Sequence, residues 1–140
     1  MAGKTLSKNN PGMPDAEKIT VNLGFVDLGQ VDLLVKEGFY SNRTDFIRSA
    51  IRQQLIHHGD AVRQAVARNS FTLGLKIYGR EELEALKAAG AKVNIRGLGL
   101  TGIAADVSPE LARATIESLV VLGALNASPE VKAALADRLR

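Results

Sequence analysis

One short stretch constrains this chain more than any other. From Glu17 to Leu23 the side chains alternate strictly, with Ile19, Val21 and Leu23 on one face and Lys18, Thr20 and Asn22 on the other. That is the period of a strand with one dry and one wet side. Such a strand is not stable alone, because its backbone needs a pairing strand and its apolar face needs a cover. The residues after Leu23 read as helix and not as a second strand. Asp27 and Gln30 form a reciprocal N-terminal cap, Leu28, Val31, Leu34 and Val35 an apolar stripe, and Gly38 a C-terminal stop. Gly29 costs this first helix about 1 kcal/mol against alanine, so packing must hold it. Ser41 caps a second helix, with Ile47, Ala50, Ile51 and Leu55 at helical spacing and Arg43, Arg48 and Arg52 off that stripe. This helix is expected to continue past Gly59 through Val62 and Val66 to Asn69, weakened at the glycine. With no local partner for the strand, the simplest mate is a second copy of itself.

The spacing of these three elements, Lys18-Ile-Thr-Val-Asn-Leu23, a short helix ending in Glu37-Gly38-Phe39-Tyr40, and Ser41-Asn42-Arg43-Thr44-Asp45-Phe46-Ile47-Arg48, resembles the ribbon-helix-helix family of Arc, MetJ and CopG-type repressors. The resemblance covers Glu17 to about His57. It implies two chains pairing their strands into an antiparallel ribbon that enters the DNA major groove, with four helices forming an intertwined core. The width of that groove admits a two-stranded ribbon. By position, the resemblance makes Lys18, Thr20 and Asn22 base-reading residues and Ser41, Asn42 and Arg43 a phosphate grip, the backbone amides of Asn42 and Arg43 pointing at the anion. It makes Ile19, Val21, Leu23, Val31, Leu34, Ile47, Ile51 and Leu55 the dimer core. The same alternation suits a plain solvated face, and Ser41 suits an ordinary cap. The chain departs from the family's pattern in having Gly24-Phe25 where many members place a proline, and Gly29 inside the first helix.

Composition narrows the chemistry. A hydrophobic share of 46% over 140 residues supports one ordinary domain or two small ones. The net charge of +3 is too small to indicate nucleic acid by itself. The absence of cysteine excludes disulfides, thiolate metal sites and cysteine catalysis, and fits a reducing cytoplasm. His57 and His58 are adjacent, so on a helix they point about 100° apart and do not chelate as an i, i+4 pair does. No metal and no cofactor are expected. No stretch approaches the roughly 18 apolar residues of a membrane span, and Met1–Asp15 lacks a secretory core. The expectation is a cytoplasmic, nucleoid-associated protein of bacterial type with no membrane partner. Met1–Ala16, rich in Lys, Asn, Gly and Pro, reads as a mobile tail.

The remainder divides into a helical connector over residues 60–69 and a C-terminal α/β module over residues 70–140. Phe71, Leu73, Leu75 and Ile77 alternate as a strand, Arg80–Ala89 forms a helix stopped by Gly90, and Lys92–Arg96 a second strand. Ser108-Pro109-Glu110 and Ser128-Pro129-Glu130 each combine a capping hydroxyl, a first-turn proline and a dipole-matching acid, and mark helix starts. Ile116–Leu125 is read as a short helix and then a strand. Gly97-Leu98-Gly99-Leu100-Thr101-Gly102 spells a dinucleotide fingerprint after a strand. The next helix start, however, comes at Pro109, and the segment is too short for a doubly wound sheet; tight packing or bulges explain these glycines better. No catalytic constellation is present, and Glu81, Glu82 and Glu84 fit a helix N-terminus.

The expected whole is an α+β chain, a ribbon-helix-helix domain at 17–59 followed by a small solenoid-like module. The resemblance implies a non-enzymatic, homodimeric transcriptional repressor that occludes operator DNA; residues 70–140, outside the resemblance, are expected to be an association module that joins copies into a higher oligomer or a sensing module. The alternatives are a self-assembling scaffold that uses its N-terminal part only to dimerise, and the antitoxin of a toxin pair.

Overall fold

The computed structural model describes residues 16–140, so the expected tail lies almost wholly outside the described residues. The chain is α+β and divides into two compact units, residues 1–62 and residues 63–140.

In the first unit, Ala16–Gly24 carries no regular secondary structure. The strand expected at Glu17–Leu23 is therefore not present in the single chain, and the physical reason is that a strand exists only with its ladder. Helix α1 (Phe25–Lys36) starts from Gly24 with no side-chain cap. Asp27 is thus a first-turn acid and not the cap, while the Gln30 amide donates back to the Val26 carbonyl at 3.3 Å. The C-terminal stop falls where expected. Gly38 has φ +87°, the Gly38 amide donates to Val35, and Phe39 donates to Leu34, the paired bonds that close a helix through a left-handed residue. Helix α2 (Arg43–His57) is capped by Asn42, whose side chain accepts from the Asp45 amide at 2.8 Å. Ser41 instead donates its own amide to Asp45 Oδ2 at 2.9 Å, so the expected cap is displaced by one residue. The helical path breaks at His58, not Gly59, and resumes as α3 (Gly59–Asn69).

The second unit is a repeated strand–helix pattern: β1 (Thr72–Tyr78), α4 (Arg80–Ala88), β2 (Val93–Ile103), α5 (Pro109–Thr115), β3 (Ile116–Asn126) and α6 (Pro129–Ala134), then a 3-10 turn at Ala136–Arg138. The strands are parallel and lie in chain order β1-β2-β3, and the helices pack in the same order, α4 on α5 and α5 on α6. Successive rungs are in register: Leu73, Leu98 and Leu122 form one row, Gly74, Gly99 and Gly123 the next. The core lies between sheet and helices, with Leu83, Ile95, Ile116, Leu119, Val131 and Leu135 almost wholly buried.

Two expectations are corrected in this unit. The second strand does not end at Arg96 but runs to Ile103, so the glycine-rich motif is strand throughout. Ile116–Leu125 contains no helix; α5 hands over directly to β3 at Ile116. Both corrections share one cause, the glycine row. Gly99 and Gly123 have φ +130° and +117°, and a Cβ on either would run into the carbonyl of the preceding rung's glycine. Glycine here permits close parallel stacking instead of ending the strand. Both Ser-Pro-Glu starts form as expected: the hydroxyls of Ser108 and Ser128 accept from Leu111 and Val131 at 3.1 and 3.2 Å.

Candidate nucleic-acid interface

The first unit buries little by itself. Val31 is the only described large apolar side chain below Phe71 that is fully buried. Ile19, Val21 and Leu23 remain 76, 69 and 45% exposed, and Ile47, Ile51 and Leu55 also face outward. Leu34 is half-buried. Ile19, Val21 and Leu23, together with Thr20, line an open groove of about 580 Å³ whose other wall is Phe46, Ile47, Ala50 and Ile51. Of the residues expected in a dimer core, Ile19, Val21, Leu23, Ile47 and Ile51 line this groove, which is open in the single chain, whereas Val31 is buried, Leu34 half-buried and Leu55 exposed outside it. Lys18, Thr20 and Asn22 alternate with them and are fully exposed.

Helices α1 and α2 are held together by an ion pair. The Arg43 guanidinium makes two parallel bonds to Asp32, Nε to Oδ1 at 2.7 Å and Nη2 to Oδ2 at 2.8 Å. This fork geometry is the specific way arginine meets a carboxylate. Hydrogen bonding to Arg43 holds the Asp32 carboxyl below its ordinary range, and Asp32 raises Arg43 in turn. The Arg43 side chain is therefore committed to the helix junction; its backbone amide, in the first turn of α2, has no intrahelical acceptor. Tyr40 packs edge-on against Phe46, with ring centroids 5.1 Å apart, and closes the same corner.

Around the α2 N-terminus, Ser41, Asn42, Thr44, Asp45, Arg48 and Arg52 line a shallow polar hollow of about 330 Å³. Ser41 and Asn42 both line this hollow. Arg48 and Arg52 are additions, which the sequence places only on a polar face. The signal for them is the i, i+4, i+8 row Thr44, Arg48, Arg52, which puts all three on one stripe. Two arginines outweigh the single Asp45 carboxylate there, and the positive end of α2 adds to them. Among the described residues there is no cluster that could hold a metal ion and no helix long and apolar enough to cross a membrane.

The first unit is thus a pair of short helices behind an uncovered apolar strip, and the second is a strand–helix repeat. A match to a family model gives the class: residues 14–132 fit the Ribbon-Helix-Helix transcriptional regulator family, and the chain belongs to it. No curated protein and no solved structure matches the chain. The family match reaches through β1, β2 and β3 to α6, so the repeat unit falls within the family model. The chain is thus a transcriptional regulator of DNA-binding type, in a family that is generally non-enzymatic.

Proposed function

We propose that two copies pair their Glu17–Leu23 segments into an antiparallel ribbon, and that this ribbon reads operator DNA in the major groove and represses by occluding a promoter. The observation that carries the reading is the exposed strip of Ile19, Val21, Leu23, Ile47, Ile51 and Leu55. An apolar patch of this kind marks an interface, and a twofold copy supplies both the missing strand and the missing helices. Covering the ribbon's apolar face with the paired helices leaves Lys18, Thr20 and Asn22 on the outward face. Lysine suits guanine acceptors, asparagine the adenine edge, and threonine either base. Flanking phosphates then meet the α2 start, held by the Asn42 and Arg43 amides, the Ser41 hydroxyl and the Arg48 and Arg52 side chains. Residues 70–140 add contacts between copies; their charge is nearly balanced, 9 basic against 8 acidic residues from Phe71 on, so they are not the phosphate-neutralising half.

The test is duplex binding measured across salt concentration. The full chain is expected to show a steep log–log salt slope. Replacing both Arg48 and Arg52 by alanine removes four cations per dimer and flattens the slope by about four, at roughly one per cation. A chain that binds duplex with no salt dependence, or not at all, overturns the reading.

A further inference from the structure

The strand stack of the second unit has two ends, and they are not alike. At the β3 end the chain returns over its own edge: Leu139 bridges in parallel to Leu119, the Arg140 amide donates to the Leu119 carbonyl at 2.9 Å, and Arg138 donates to the carbonyls of Arg113 and Ile116. Terminal cover of this kind is what a stacked repeat needs to stay discrete. At the β1 end no described residue forms a neighbouring strand, and Thr72–Tyr78 is the edge of the sheet.

That edge lacks the devices that keep natural edges apart. It has no proline and one charge, Lys76. The Lys76 ammonium is drawn back to Glu82 at 3.2 Å and sits 4.9 Å over the Tyr78 ring. Leu73 and Leu75 stand 69 and 59% exposed on it. Between them lies Gly74, in the same left-handed backbone as the other two glycines of its row, φ +109°. In Gly99 and Gly123 that conformation seats one backbone against the carbonyl of the rung before; at Gly74 the same space is empty. A bare, apolar, glycine-centred edge is a template for pairing.

We propose that β1 pairs with β1 of a second copy across a twofold axis, joining two three-stranded sheets into one. The occupant is a second copy of this chain, because the uncovered edge is apolar and matches itself, whereas the β3 edge is obstructed at Leu119. Two β1 edges meeting about a dyad close the assembly; β1 on β3 would leave an open series. The proposal rests on the ribbon reading in one respect. Only Ser70 and Phe71 separate α3 from β1, so copies gathered by paired ribbons and neighbouring half-sites meet at raised effective concentration.

The chain has no cysteine, which allows a direct test on the full-length protein. Single variants Leu73→Cys, Leu75→Cys and Ile77→Cys sample β1, and Leu122→Cys, at a third-rung position whose 52% exposure lies between those of Leu75 and Ile77, is the comparison. Under mild oxidation at least one β1 variant is expected to give about tenfold more covalent pair than Leu122→Cys, because a disulfide closes only between Cα atoms within about 7 Å. Adding lysine at whichever of Leu73 and Leu75 is not already replaced, in the β1 variant that cross-links, places like charges along the edge and is expected to abolish that pair; both leucines are exposed in the single chain, so its fold does not depend on them. Three results overturn the proposal: β1 thiols that stay single and reactive, β1 thiols that stay single and shielded by another segment, and cross-linking only in mixtures of Leu75→Cys with Leu122→Cys. Salt-dependent duplex binding by the same variants separates this from the ribbon: binding without β1 cross-links removes only the edge pairing, and cross-links without binding remove only the ribbon reading.

Discussion

Adding one methyl group to the glycine row separates backbone strain from rung contact. Gly99→Ala and Gly74→Ala each force a left-handed conformation on an L residue, a cost of about 1–3 kcal/mol. At Gly99 the new Cβ also runs into the Gly74 carbonyl, whereas at Gly74 it meets open space. Pushing the rungs apart adds an overpacking cost of about 1–3 kcal/mol. Gly99→Ala should therefore lose about 2–6 kcal/mol in total, against a stability of about 4–12 kcal/mol for a unit of this size, and leave the unit marginal. The chain has two tyrosines and no tryptophan, and Tyr78 is buried in the second unit. In a Tyr40→Phe background, Tyr78 fluorescence in a urea titration reports that unit alone. The excess loss of Gly99→Ala over Gly74→Ala should not depend on protein concentration. Any further loss in Gly74→Ala should appear only at concentrations where β1 edges meet. Equal, concentration-independent losses in the two variants would refute the stacking argument.

Alanine in place of Lys18, Thr20 or Asn22 should each cost about 1–3 kcal/mol of operator discrimination with the melting temperature unchanged, whereas Val21→Ala should destabilise the dimer; competition binding and calorimetry on the same samples check both. Asp32 and Asp137 have folded pKa values lowered by hydrogen bonds to Arg43 and Arg113. Their contribution is complete above the unfolded aspartate value of about 3.9 and is lost as pH falls through the lower folded values. Asp32→Asn should thus remove part of the drop in urea midpoint between about pH 5 and pH 2; an unchanged acid profile would show that the Arg43 fork does not stabilise the α1–α2 corner. Ser128→Ala removes the cap bond to Val131 and should lower the second unit's stability by about 1 kcal/mol, measured as the shift in urea midpoint, with Ser128→Asp restoring it.

Local signals determined much of this protein. Alternation over Glu17–Leu23, the left-handed stop at Gly38 and the two Ser-Pro-Glu starts each depend on neighbours within four residues, so they can be read without a fold. The family could be recognised from the spacing of the first three elements for the same reason. Where competing caps lay close together, at Asp27 against Gly24 and Ser41 against Asn42, the structure gives the cap position to Gly24 and Asn42. The strand at 17–23 is legible as a pattern, yet Ala16–Gly24 holds no regular structure in the single chain, because a strand needs a ladder partner and no described residue supplies one.

Only the tertiary structure decided the repeat. Leu73-Gly74-Leu75, Leu98-Gly99-Leu100 and Leu122-Gly123-Ala124 recur 25 and 24 positions apart, a period visible in hindsight. One glycine, taken alone, argues against a strand. Three of them in register argue for it, since at Gly99 and Gly123 a side chain would hold the preceding rung's carbonyl away. Alternation puts Leu73 and Leu75 on one face of the strand, and the structure leaves both exposed: alternation assigns side chains to two faces, and which face is covered depends on where α4, α5 and α6 come to lie. Arg43, too, reads as a phosphate ligand from its position and becomes a clamp on Asp32 only once α1 and α2 are packed side by side.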